Sequence, residues 1–130
     1  MTSPRNALAA GAAIAGLALD PGAVAADAKA GEAIYERCAA CHSLEHDRTG
    51  PRHCGLIGRR AASVKDFAYS DAMKRSGIVW TKRALDRFLA APVAAVPGTS
   101  MGYAGIGDAK ERADLIAYLE QSNEAAPCRK

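Results

Sequence analysis

Cys38-Ala39-Ala40-Cys41-His42 holds the densest chemistry in this chain. Cysteines at i and i+3, with a histidine at i+4, share one face of a helical turn. Two thiols so placed can add to the two vinyl groups of one haem while the imidazole faces its iron, and C-x-x-C-H reads as a c-type haem attachment. Other uses of Cys-x-x-Cys carry their own requirements. A zinc site needs a second tight pair of ligands, and the remaining cysteines, Cys54 and Cys128, are far apart in sequence. A redox dithiol belongs in a strand-helix-strand unit, whereas alanine-rich helical sequence surrounds this motif. One haem c, covalent through Cys38 and Cys41, is the expectation.

A histidine fills one axial position of such a haem, and the occupant of the other separates electron transfer from gas binding or peroxidase chemistry. Met73, Met101, His46 and His53 are the candidates. Met73 lies in Asp71-Ala72-Met73-Lys74-Arg75, a polar helical setting that suits partly buried packing. Met101 lies in Pro97-Gly98-Thr99-Ser100-Met101-Gly102-Tyr103, a loop able to bring its backbone against a flat cofactor. A thioether there is a soft ligand that raises the haem potential. His42 and Met101 are therefore the expected metal ligands.

The elements that must hold these residues follow from periodicity. Asp27 suits the N-cap of a helix from 28 to about 38, with Lys29, Glu32, Glu36 and Arg37 outward and Gly31, Ile34 and Tyr35 inward. From 43 to 66 the period is lost, and Gly50-Pro51, Gly55 and Gly58 punctuate a loop that wraps something. A short helix is expected over Asp71–Arg75, ending at Gly77; another begins after Thr81, buries Leu85, Phe88 and Leu89, and stops before Pro92. Two prolines and four glycines between 92 and 107 predict loop. The last helix runs from 108 to about 122, with Leu115, Ile116, Tyr118 and Leu119 buried and Lys110, Glu111, Arg112 and Glu120 wet. No segment alternates as a strand. The class is all-α: three principal helices plus short helices and long loops wrapped round one covalently bound haem. Long irregular connections are uncommon in a compact domain unless they serve a function, and a central cofactor gives them a core.

Residues 1–26 read as a secretory signal peptide: Arg5, an apolar run from Ala7 to Leu19, the break Asp20-Pro21-Gly22, then Ala23-Val24-Ala25-Ala26. Cleavage after Ala25 or Ala26 fits equally and leaves 27–130 as one domain. The apolar run falls short of the roughly 20 residues that span a bilayer, so the protein is not expected to span a membrane. A formal charge of +3 is too mild to argue for nucleic acid. Two Phe, four Tyr and one Trp make a thin aromatic core, a deficit that a large apolar cofactor would fill in a domain this small. Export places Cys54 and Cys128 where disulfides persist. We expect them bridged, closing a loop of about 75 residues and stabilising by a few kcal/mol.

Several segments, taken in order, resemble the class I cytochromes c, in a bacterial form close to the mitochondrial-type pattern. They are Cys38-Ala39-Ala40-Cys41-His42; Thr49-Gly50-Pro51; Gly55-Leu56-Ile57-Gly58-Arg59; Phe67-Ala68-Tyr69-Ser70-Asp71-Ala72; Trp80; Pro97-Gly98-Thr99-Ser100-Met101; and Glu111-Arg112-Ala113-Asp114-Leu115-Ile116-Ala117-Tyr118-Leu119. The resemblance implies that His42 and Met101 form the axial pair and that the Pro51 carbonyl accepts from the other imidazole nitrogen. It implies that Tyr69, Trp80 and Thr99 contact a haem propionate, with Arg59 nearby as compensating charge. It also implies a crossing of the first and last helices, Gly31 and Tyr35 against Leu115 and Tyr118. Three positions depart from the pattern. His53 stands where the family usually has leucine, leaving open a satisfied core residue, a propionate neighbour or a rival ligand. Phe88 occupies a position often held by tyrosine. Ser100 replaces a common lysine and thins the positive ring around the exposed haem edge.

The implied function is that of a soluble periplasmic monohaem cytochrome, a monomer that shuttles single electrons between transient redox protein partners and is not an enzyme. Docking is expected near Ala39, Ala40, Ser100 and Tyr103, with Lys29, Arg37, Arg48 and Lys82 as candidate steering charges. Two alternatives stay open: the haem domain of a dehydrogenase complex, and a gas-binding or peroxidatic haem protein with labile Met101 ligation. The latter would want a distal histidine and arginine at a recognisable spacing, which the sequence does not offer.

Overall fold

The computed structural model describes residues 24–129. The expected signal peptide lies outside them apart from Val24, Ala25 and Ala26, which are exposed and belong to no helix. Five helices follow: α1 (Ala28–Tyr35), α2 (Asp71–Arg75), α3 (Lys82–Ala90), α4 (Pro92–Ala95) and α5 (Ala109–Glu124). Among the described residues no helix is long and apolar enough to cross a membrane, and the β-type pairing is an isolated antiparallel bridge of Arg60 with Val79. The class is all-α.

Local chemistry sets the helix starts. The side chains of Asp27, Ser70, Thr81 and Asp108 accept backbone N–H bonds in the first turns of α1, α2, α3 and α5, each cap worth about 1 kcal/mol. Two expected boundaries need correction. Helix α1 stops at Tyr35 rather than near Cys38, because Arg37 N donates to Ile34 O and Cys38 N to Tyr35 O; such shorter-range bonds tighten a helix end into turns. The stretch after Ala91 is not all loop. Pro92 opens α4, where a fixed φ is pre-organised for a helix and the missing N–H has no partner to lose.

Helix α1 crosses α5 at Gly31. A β-carbon there would overlap the Asp114 carbonyl and stand 2.8 Å from Tyr118 Cβ, so the residue type permits the approach. Asp114 lies at this crossing, only 4% exposed. Its Oδ1 accepts from the backbone N of Asp27 at 2.7 Å, and its carboxylate accepts from Lys110 Nζ at 2.6 and 2.7 Å. Arg112, expected on the wet face, is instead largely covered. Its Nε donates to Asp86 Oδ1 at 2.7 Å and its Nη1 to the carbonyls of Ile106 and Gly107, which ties α3, α5 and the incoming loop together. The expected inner faces of the three longer helices meet in one cluster with Leu56, Met73 and Trp80. At the far end of α5, Cys54 and Cys128 have Cα atoms 5.0 Å apart, within the span of a disulfide.

Candidate cofactor site

Helix α1 delivers the cysteine motif to the mouth of a cavity of about 370 Å³ with mainly apolar walls. Within the motif, Cys41 N donates to Cys38 O at 3.1 Å and His42 N to the same carbonyl at 2.9 Å, the single turn that the spacing requires. Burial pushes the Cys38 thiol up, against a smaller pull from Arg37. Among the described residues no three His, Cys, Asp or Glu side chains converge as a metal cage, so the thiols have no second ligand pair beside them.

His42 is buried, and its Nδ1–H donates to the Pro51 carbonyl at 2.8 Å. That bond fixes the tautomer and leaves the Nε2 lone pair for a metal. Burial lowers the His42 pKa, partly opposed by the same bond, and the neutral ring is the ligating form. Gly50 N donates to Cys41 O at 2.7 Å, which presses the glycine backbone against the ring. The Thr49-Gly50-Pro51 tripeptide marks this place in the sequence, but the closeness itself is a tertiary fact.

The ring of His53 stacks on that of His42, with centroids 4.2 Å apart and planes 22° from parallel. The Tyr35 hydroxyl meets His53 Nδ1 in a hydrogen bond of 3.0 Å. Of the three roles open for His53, the hydrogen-bonded core residue matches this geometry. Burial first, then His42 and Arg59, hold its pKa well below the ordinary histidine value. Burial likewise raises the Tyr35 phenol, so both partners are neutral near pH 7.

A short backbone pairing sets Arg59 beside Trp80: Gly58 N donates to Trp80 O at 3.0 Å and Trp80 N to Arg59 O at 2.9 Å. Arg59 is not a solvated surface charge. Its Nη1 and Nη2 donate to the carbonyls of Cys54 and Arg52 at 3.0 and 2.9 Å, while its buried Nε has no protein partner. Burial lowers the guanidinium pKa, yet an arginine stays charged. A half-buried cation whose buried Nε has no partner calls for an anionic group, and a haem propionate answers that description. Tyr69 borders the same cavity.

Met101 reaches the cavity from the loop between α4 and α5. Its backbone N donates to Thr99 Oγ1 at 3.3 Å, and the loop is anchored where Ile106 N donates to Leu89 O at 2.8 Å. Gly105 makes that anchor close, with φ +103 and a position where a β-carbon would strike the Ala90 carbonyl. Met73, expected to be only partly buried, is 8% exposed and joins Phe88 on the cavity wall. His46 is exposed and lies off the cavity. Cys38, Cys41, His42, Pro51, Arg59, Tyr69, Trp80, Thr99 and Met101 all border this one space.

Comparison with known proteins points the same way. The family model described as Cytochrome c matches residues 28–123. Cytochrome c2 of Blastochloris viridis is 42% identical over 104 residues, covering 78% of this chain and 82% of that protein. Cytochrome c of Tetrahymena pyriformis is 51% identical over 96 residues, 72% of this chain and 87% of that one. Among solved structures, cytochrome cH from Methylobacterium extorquens matches with a TM-score of 0.72 and 42% identity, over 74% of this chain and 99% of its own. The motif, the cavity behind it and these likenesses agree: the chain belongs to the cytochrome c family and carries one haem c, bound covalently through Cys38 and Cys41.

Proposed function

We propose that this chain is a periplasmic single-electron carrier in which His42 and Met101 are the axial ligands. The observation that carries the reading is their convergence on one apolar cavity, with His42 Nδ1 already committed to Pro51. Haem c supplies an iron that cycles between ferric and ferrous. The protein holds it and sets its potential. The Pro51 carbonyl keeps the imidazole in its ligating tautomer. Arg59, Tyr69, Trp80 and Thr99 receive the propionates. Met73 and Phe88 add hydrocarbon to the cavity wall, and a dry wall would disfavour the extra charge of the ferric state.

The signal peptide over 1–26, its removal after Ala25 or Ala26, the single domain over 27–130 and the monomeric state belong to the same proposal. So does a Cys54–Cys128 disulfide, supported by the 5.0 Å Cα separation. An exported protein can keep such a bridge.

Transient redox proteins are the partners, docking at the edge near Ala39, Ala40, Ser100 and Tyr103. Residues 93–107 carry no charged side chain. Three of the four candidate steering charges are engaged: Arg37 pairs with Glu111 at 2.8 Å, Arg48 donates to Ala39 O at 2.6 Å, and Lys82 pairs with Glu120 at 2.7 Å. An uncharged edge of this kind suits a partner with an uncharged patch around its own redox centre. An optical redox titration tests the function. One reversible one-electron transition, with no spectral change when carbon monoxide meets the reduced protein, is the expected result; rapid carbon monoxide uptake would favour the gas-binding alternative.

A further inference from the structure

Two polar groups stand on the histidine side of the cavity where packing alone would ask for hydrocarbon. Tyr35 is 7% exposed, and His53 lines the cavity beneath the motif. Either group alone would be a buried donor or acceptor left unsatisfied, at a cost of about 1–3 kcal/mol. Together they satisfy each other across 3.0 Å. Nδ1 of His53 is the acceptor available to the phenol hydrogen, so the hydroxyl donates and the ring hydrogen of His53 sits on Nε2, a tautomer assigned from the bonding pattern.

The pair has little freedom. The backbone N of His53 donates to the carbonyls of Ser43 and Leu44 at 3.0 and 3.1 Å, and its carbonyl accepts from Leu56 N at 2.9 Å. Side-chain torsions are what remain, and the bond to Tyr35 fixes them. Tyr35 is seated in turn on α1, its ring 5.2 Å from that of Tyr118. The other end of the chain of contacts is the His42 ring, stacked at 4.2 Å. His53 thus meets Tyr35 on one side and His42 on the other.

We infer that Tyr35 and His53 are a positioning pair for the axial imidazole: the phenol fixes the plane of the His53 ring, and the stacked ring fixes the plane of His42. This rests on His42 being an iron ligand. The plane of an axial ring governs its overlap with the metal orbitals, so groups that orient a ligand tune the metal it binds. The pair couples the first helix to the redox centre without touching the metal.

The test uses holoprotein variants and two readouts that simple packing would leave unmoved: the spread of haem-methyl proton shifts in the ferric NMR spectrum, and the ferric/ferrous ratio at a fixed ambient potential. Tyr35→Phe keeps the ring and removes only the hydroxyl. It is expected to alter the shift spread and to move the ratio by about threefold, the scale of one neutral hydrogen bond. In a His53→Leu background the same substitution is expected to change neither, the signature of coupling in a double-mutant cycle. His53→Gln, which keeps an acceptor but loses the stacked ring, is expected to alter the spread on its own. Tyr118→Phe is expected to leave it alone. An unchanged spread and ratio in Tyr35→Phe, or equal changes in both backgrounds, would overturn the inference. The wild-type spectrum reports on the ligand assignment separately, through strongly shifted ring protons belonging to His42; their absence would remove the ligand and not merely its positioning.

Discussion

Gly50 lies so close to the His42 ring that a β-carbon at position 50 would overlap its Cε1, Nδ1 and Nε2 atoms. Gly50→Ala must therefore displace either the ring or the backbone that feeds Pro51. Overpacking of this kind costs about 1–3 kcal/mol. The expected outcome is a holoprotein destabilised by that amount in a denaturant melt, with a disturbed visible spectrum. A variant of wild-type stability and spectrum would show that the ring has room to spare.

Asp114 predicts the acid limb of stability. The backbone N of Asp27, then Lys110, hold its carboxyl below the usual value. A folded-state pKa below the unfolded one contributes stability that is complete above the unfolded value and is lost as pH falls through the folded one. Melts between pH 7 and 3 are expected to fall less steeply for Asp114→Asn than for the wild type, from a lower starting stability. Parallel curves for the two proteins would contradict this.

Much of the fold is legible because helices repeat. Leu85, Phe88 and Leu89 bury together at i, i+3 and i+4, and Asp27, Thr81 and Asp108 announce their helices. Helix α4 is not legible in this way, since Pro92–Ala95 is too short to show a period. Arg112 reads as solvated on the wet face of its helix, yet Asp86 on another helix and the carbonyls of Ile106 and Gly107 bring it under cover. The site divides likewise. Cys38, Cys41 and His42 declare themselves by spacing. The facing of Tyr35 and His53 joins residues from separate elements, and the pairing of the basic residues on the rim is equally non-local.

Cys54 and Cys128 give a prediction about stability alone. Replacing both by serine is expected to lower stability by about 2–4 kcal/mol, the usual yield of a bridge over a long loop, without changing the visible spectrum. Free thiols in the non-reduced wild-type protein would rule the bridge out.

The uncharged segment 93–107 and the pairing of Arg37 and Lys82 with carboxylates predict weak ionic steering. Electron exchange with a redox partner is expected to change by less than about threefold between low and high salt, because screening acts on exposed charges. A steep decline with ionic strength would return the docking role to the basic residues.

The ferric thioether-to-iron charge-transfer band tests the central claim most directly. The account predicts the band in the wild-type protein, its retention in Met73→Leu and its loss in Met101→Ala. No band in the wild type, or a band that survives Met101→Ala and disappears with Met73→Leu, would contradict the pairing of His42 with Met101.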